Sequence, residues 1–154
     1  MEKIILIKEE IDCDIYSAFN LFTLNELLES WLTEKAEVES KVGGKYELFW
    51  ESDNRENNST IGCKITAFEK NKFISFEWKG PVQFKSFMNS ADPLTHVIVF
   101  FSPDPADQNK TTICLFHTGW RSNKGWQEAR KYFEKAWVNA LKELKEKVKN
   151  GLLP

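Results

Sequence analysis

The chain has 154 residues, a formal net charge of −2 and 14% aromatic residues. That length suits one domain, residues 1–154, able to bury its own core, and the mixed, near-balanced charge gives no electrostatic case for nucleic acid or an anionic membrane. Cys13, Cys63 and Cys114 form no CxxC pair and read as buried small hydrophobes of a reducing cytosol, while the opening run Met1 to Glu10 is too short for a signal or a membrane span, so the chain is expected to be soluble and cytoplasmic.

In chain order, Lys3 to Ile11 is rich in β-branched residues and predicts an edge or first strand. Asp12 or Asp14 can cap a short helix carrying Ile15, Ala18, Phe19 and Phe22, and a second short helix follows over Asn25 to Trp31. From Ala36 the hydrophobic period changes to two. A strand over Ala36 to Ser40 meets Val42-Gly43-Gly44, which can supply a positive-φ turn, and a second strand returns over Lys45 to Trp50. Asp53 to Ser59 is a polar loop. Ile61, Cys63 and Ile65 alternate on one expected strand, Asn71-Lys72 makes a turn, and Ile74, Phe76 and Trp78 alternate on the next. Gly80 to Pro93 has no clear period, yet its apolar residues require it to fold over the core or over the mouth of a ligand site. Thr95 to Phe101 and Thr111 to His117 form a last pair of strands.

The chain then enters its longest element. Trp126, Ala129, Phe133, Ala136, Trp137, Ala140, Leu141, Leu144 and Val148 mark one stripe of a helix over Lys124 to Asn150, roughly 40 Å long at the usual rise per residue. Ser122 or Asn123 can cap it, Glu128 is placed in its first turn, and Gly151 offers the left-handed residue after its end. Its charged positions predict a solvated face of i, i+4 pairs: Arg130 with Glu134, Lys142 with Glu146, Glu143 with Lys147. The only long amphipathic element must cover the apolar face of about seven antiparallel strands, so the expected class is α+β, a twisted sheet wrapped on the last helix with two short helices after the first strand. Tyr46, Leu48, Trp50, Phe76, Trp78, Phe101, Phe133 and Trp137 would point into the space between them, Trp137 facing Phe76, Trp78 and Val99.

The chemistry this pattern offers is narrow. His117, in phase with Ile113 and Leu115, should point inward as a hydrogen-bonded core residue, and His96 should point out. Two histidines without a third placed ligand make no zinc or iron site, and Val42-Gly43-Gly44-Lys45 lacks the spacing of a phosphate-binding loop. No catalytic residue, metal or cofactor is assigned.

The run Gly119-Trp120, Trp126, Tyr132-Phe133, Ala136-Trp137 and Leu141 to Leu144, closing on Gly151, resembles the C-terminal signature of activator of heat-shock protein 90 ATPase homologues. Trp31, Val42-Gly43-Gly44, Phe76 to Pro81 and Thr95-His96-Val97 fit the same pattern in the same order. The resemblance implies the helix-grip fold of the START-like, birch-pollen-allergen-like superfamily (SRPBCC), and a heat-shock protein 90 homologue as a partner. In the eukaryotic co-chaperone a separate N-terminal domain makes much of the chaperone contact; this chain begins at its own first strand, so weak or no stimulation of such an ATPase is expected. Related stand-alone members are similar to carriers of lipids or polyketides and to cyclases.

Residues and resemblance together lead to a non-enzymatic binding domain whose sheet–helix cavity takes a small hydrophobic or amphipathic ligand. The expected ligand-binding residues are Tyr46, Trp50, Phe76, Trp78, Val99, Phe101, His117, Phe133 and Trp137. The alternatives are a cyclase-like enzyme in which His117 or Tyr46 moves a proton on a polyketide-type substrate, and regulation of a heat-shock protein 90 ATPase.

Overall fold

The alternation of inward and outward residues is cleanest in Phe73–Trp78, Thr95–Pro103 and Thr111–Thr118, and these strands form the centre of the structure. The structure is a computed structural model and describes residues 3–153; the first two residues of the opening run, and Pro154 at the end of the expected domain, lie outside it. Its elements are β1 (Ile5–Ile11), α1 (Ile15–Asn20), α2 (Asn25–Trp31), β2 (Lys35–Val38), β3 (Tyr46–Phe49), β4 (Ile65–Glu69), β5 (Phe73–Trp78), α3 (Lys85–Met88), β6 (Thr95–Pro103), β7 (Thr111–Thr118) and α4 (Lys124–Lys149).

The seven strands divide unequally. Five form an antiparallel sheet in the order β1-β7-β6-β5-β4, and β2 pairs with β3 in a separate ribbon, joined to the main sheet side by the isolated bridges Lys45–Lys64 and Phe49–Ser59. The register lines up Ile5, His117, Val97 and Phe76 across four strands, so the one inward histidine sits in an apolar row. With the long helix against the sheet and the short helices after β1, this is the helix-grip arrangement.

Two sequence expectations need correction here. The strand anticipated from Ile61 begins only at Ile65, because Gly62 takes φ +85° and the Cys63 N–H returns to the Thr60 carbonyl at 2.9 Å. That turn uses up the first half of the alternating run. Trp50 does not join the packed core: β3 stops at Phe49, the chain bends, and Trp50 is 37% exposed where it lines an open cleft. Of the thiols only Cys63 is buried; Cys13 and Cys114 are half-buried, and all three are free.

Helix α4 is capped by Asn123, whose side chain accepts the Trp126 N–H, while Glu128 lies beyond the first turn. Trp126, Ala129, Phe133, Trp137, Leu141 and Leu144 are buried along the expected stripe. The charged face differs from expectation. Arg130 is itself buried, held by Glu134 at 3.3 Å and Gln127 at 3.1 Å, and Lys145 and Lys147 reach off the helix to Glu9 of β1 and the Ser30 carbonyl of α2. The helix is thereby fastened at its C-terminal half to β1 and to α2.

Candidate functional site

A cleft of about 640 Å³ opens between α4 and the ends of β3 and β5. Residue placement explains why it exists there. The chain bends at Trp50 directly after β3, and β5 ends at Trp78 and leads into Lys79, Gly80 and Pro81, so the cleft is lined by the ends of both strands and by the helix. Gly80 has to be small: a Cβ there would lie 2.6 Å from the Met88 Sδ and 3.3 Å from the Phe84 Cβ. This close approach lets α3 fold down, with Phe84 packed edge-on against Tyr132 at 5.4 Å and Phe87 against Trp126 at 5.1 Å. The apolar Gly80–Pro93 segment therefore covers the N-terminal half of α4 and supplies one edge of the cleft.

The walls are aromatic. Trp31 ends α2, Trp50 follows β3, Trp78 ends β5, and Tyr132, Phe133 and Trp137 come from α4, with Ala136 and Ala140 between them along the helix. Trp78 packs against Trp137 at 5.2 Å and, edge-on, against Trp50 at 5.9 Å. Three of the four wall indoles spend their N–H inside the protein: Trp31 on the Leu21 carbonyl at 2.8 Å, Trp50 on the Leu32 carbonyl at 2.8 Å, Trp137 on His117 Nδ1 at 3.1 Å. Among the described residues, Trp78 Nε1 is the buried side-chain polar atom with no partner. At the rim Glu51 and Glu143 are exposed, Asn58 donates to Glu51 at 2.6 Å, and the Lys79 ammonium donates to the Ile61 carbonyl at 2.6 Å.

Of the sequence-predicted ligand residues, the structure brings Trp50, Trp78, Phe133 and Trp137 together in this cleft. Tyr46, Phe76, Val99, Phe101 and His117 are buried in the core and do not line it. Tyr46 stacks on Phe76 at 3.7 Å and donates to the Phe22 carbonyl at 2.6 Å, and burial raises its phenol pKa far beyond the usual range. His117 is fully buried; its Nδ1 accepts from Trp137, which fixes the remaining proton on Nε2, where it is donated to Thr95 Oγ1 at 3.1 Å. Burial, helped by nearby His96, lowers its pKa to about 3. A neutral imidazole with both nitrogens engaged inside the core, like a phenol held on a carbonyl, is an anchor rather than a proton shuttle. The wall residues that sequence reasoning left out of the site are chiefly Trp31, Tyr132 and the two alanines; Ala136 and Ala140 were visible on the helical stripe and Tyr132 as an aromatic beside it.

Among the described residues no group of three or more His, Cys, Asp or Glu is placed to hold a metal ion, and no helix is long and apolar enough to cross a membrane.

Comparison with known proteins bears on the family. A sequence comparison with curated proteins gives no match. The chain is similar in structure to an HSP90 activator of Plasmodium falciparum, with 24% identity, a TM-score of 0.68, and 98% of this chain and 97% of that one covered. It is also similar to a subunit of the Aha1 dimer of Colwellia psychrerythraea, with 16% identity, a TM-score of 0.70, and 95% and 96% covered. A third likeness is to a protein of Staphylococcus saprophyticus, with 16% identity, a TM-score of 0.70, and 99% and 96% covered. These likenesses establish the fold. The family model described as "Activator of Hsp90 ATPase homolog 1-like protein" matches residues 12–149, nearly the whole chain, and the protein belongs to that family.

Proposed function

We propose that this chain is a non-enzymatic binding domain whose cleft takes a small apolar or amphipathic molecule against Trp50, Trp78, Phe133 and Trp137. The observation that carries the reading is the cleft itself: about 640 Å³, walled by four indoles, in the size range of ordinary small-molecule sites. Trp50 is 37% exposed there, while Trp31, Trp78, Phe133 and Trp137 line the same space as buried side chains. The cyclase-like alternative is disfavoured because neither His117 nor Tyr46 lines the cleft and both are committed to other groups. Titration with Nile red, an uncharged dye, tests the proposal. Saturable uptake with one dye per chain is expected, weakened severalfold by Trp50→Ala, a rim change that leaves the core intact. No saturable uptake would remove the reading.

A second reading, contact with a heat-shock protein 90 homologue, is favoured by the family match. Either role is proposed for the cytoplasm. Titrating the protein into such a chaperone while following ATP turnover separates the two, since a large saturable rise would make the chaperone the principal partner.

A further inference from the structure

We infer that the outer face of the five-stranded sheet is the interface of a symmetric dimer, its occupant a second copy of this chain seated with β6 against β6.

The strand register gives this face its content. Side chains in the phase opposite to the core fall into rows across the sheet. Two neighbouring rows are apolar at the centre: Leu6-Phe116-Ile98-Ser75-Ala67 and Lys8-Cys114-Phe100-Phe73-Glu69. Phe100 packs against Phe73 at 5.8 Å and edge-on against Phe116 at 5.8 Å, so the rings form one cluster outside the core. Leu6 is 57% and Phe100 43% exposed. A lone surface leucine is ordinary, whereas a contiguous apolar field on a sheet face marks an interaction surface. The rows on either side, Thr118-His96-Glu77 and Ser102-Thr112-Glu10, are polar and give the field a rim. None of these residues lines the cleft.

Symmetry and charge identify the occupant. The order β1-β7-β6-β5-β4 puts β6 in the middle, so a two-fold axis running along β6 between two facing sheets exchanges β1 with β4 and β7 with β5. Phe100 then meets its own copy and Cys114 meets Phe73. Lys8 and Glu10 stand along one border of the face, Glu69 and Lys72 along the other. The exchange sets Lys8 over Glu69 and Glu10 over Lys72. Within one chain Glu10 lies 3.6 Å from Lys110 and Glu69 3.0 Å from Lys72, and across the axis each acid gains a second cation. A partner of uniform charge would instead meet a like charge at both borders.

Four outward rows about 7 Å apart on five strands about 4.8 Å apart cover roughly 600 Å² per copy. The pair would bury about 1,200 Å², the lower end of specific interfaces, so the dimer should dissociate in the micromolar range.

Sedimentation velocity of the full chain, from about 1 μM to about 1 mM, tests the inference. The chain should pass from monomer to dimer within that range. Phe100→Ser should raise the dissociation constant about tenfold or more, the loss expected at the centre of an interface. Lys8→Glu or Glu69→Lys alone should weaken the dimer severalfold, and the two together should restore it, because both partners of the pair are then exchanged across the axis. Both positions are exposed, so this arm stands even if Phe100→Ser does not fold. A chain monomeric throughout would overturn the inference and leave the face to a different protein. A dimer indifferent to Phe100→Ser, or one that the double exchange fails to restore, would overturn it as well.

Discussion

His117 keeps its imidazole neutral by giving both ring nitrogens to other side chains, one to the Trp137 indole and one to Thr95. Because its folded pKa is lowered to about 3 from an ordinary 6.5, folded and unfolded states are both neutral above that ordinary value and the group's stabilising contribution is fully present there. As pH falls below it, the unfolded chain takes up a proton that the folded chain refuses, and stability is lost by up to about 1.4 kcal/mol per pH unit. Urea unfolding between about pH 6.5 and 5.5, above the range where carboxylates titrate, should show this slope, and His117→Gln should flatten it. An imidazole resonance of His117 that titrates near neutrality in the folded protein would contradict the burial. The same bond makes Trp137 more than a wall residue. Trp137→Phe keeps a ring in the cleft but leaves the His117 Nδ1 unpaired, which should cost about 1–3 kcal/mol. Trp137→Ala adds a hole where a residue only 3% exposed had packed, and should cost about 3–5 kcal/mol.

At the scale of elements, α4 holds the others in place. Ala136→Pro would remove a mid-helix hydrogen bond and clash with the preceding turn, costing about 3 kcal/mol or more; an insoluble or far less stable variant is expected, and near-native melting would show that the helix does not organise the fold. Asn123→Ala, which deletes the cap on the Trp126 N–H, should cost only about 1 kcal/mol by the same measurement. This helix was legible in the sequence because its apolar positions repeat over seven turns' worth of residues and both ends carry their own signals. Short strands offer less. The period of two held for β5, β6 and β7, yet Gly62 delayed β4 and the bend after Phe49 left Trp50 37% exposed, and neither event leaves a mark in hydrophobic alternation. The site was harder still to read. Inward-facing position correctly placed Tyr46, Phe76, Val99 and Phe101 inside, but inside here means packed core, and alternation along a strand does not say where packing stops and the cleft begins. The reach of Lys145 to Glu9, across most of the chain, has no local signal at all.

At the scale of the whole molecule, a five-stranded sheet and a two-stranded ribbon both contribute to the cleft. The five-stranded sheet is continuous in its hydrogen bonding, whereas β2 and β3 form a ribbon tied on by two isolated bridges, with Ala36 bonded to Glu29 of α2. Amide hydrogen exchange should therefore find the slowest protons in β6 and β7 and earlier opening in β2 and β3, and a bound cleft ligand should slow the ribbon more than the sheet. Uniform protection across both would show that the ribbon opens only with the whole fold. One further property follows from how the helical wall is built. Ala136 and Ala140 stand one turn apart on α4, line the cleft, and lie outside the set of fully buried core residues. Under the proposed binding role, descendants of this chain could therefore diverge in the bulk of the molecule they accommodate through these two positions alone. Enlarging either side chain would shorten the accommodated molecule, and the strand register, the cap and the ion pairs would pass to the new lineage unchanged.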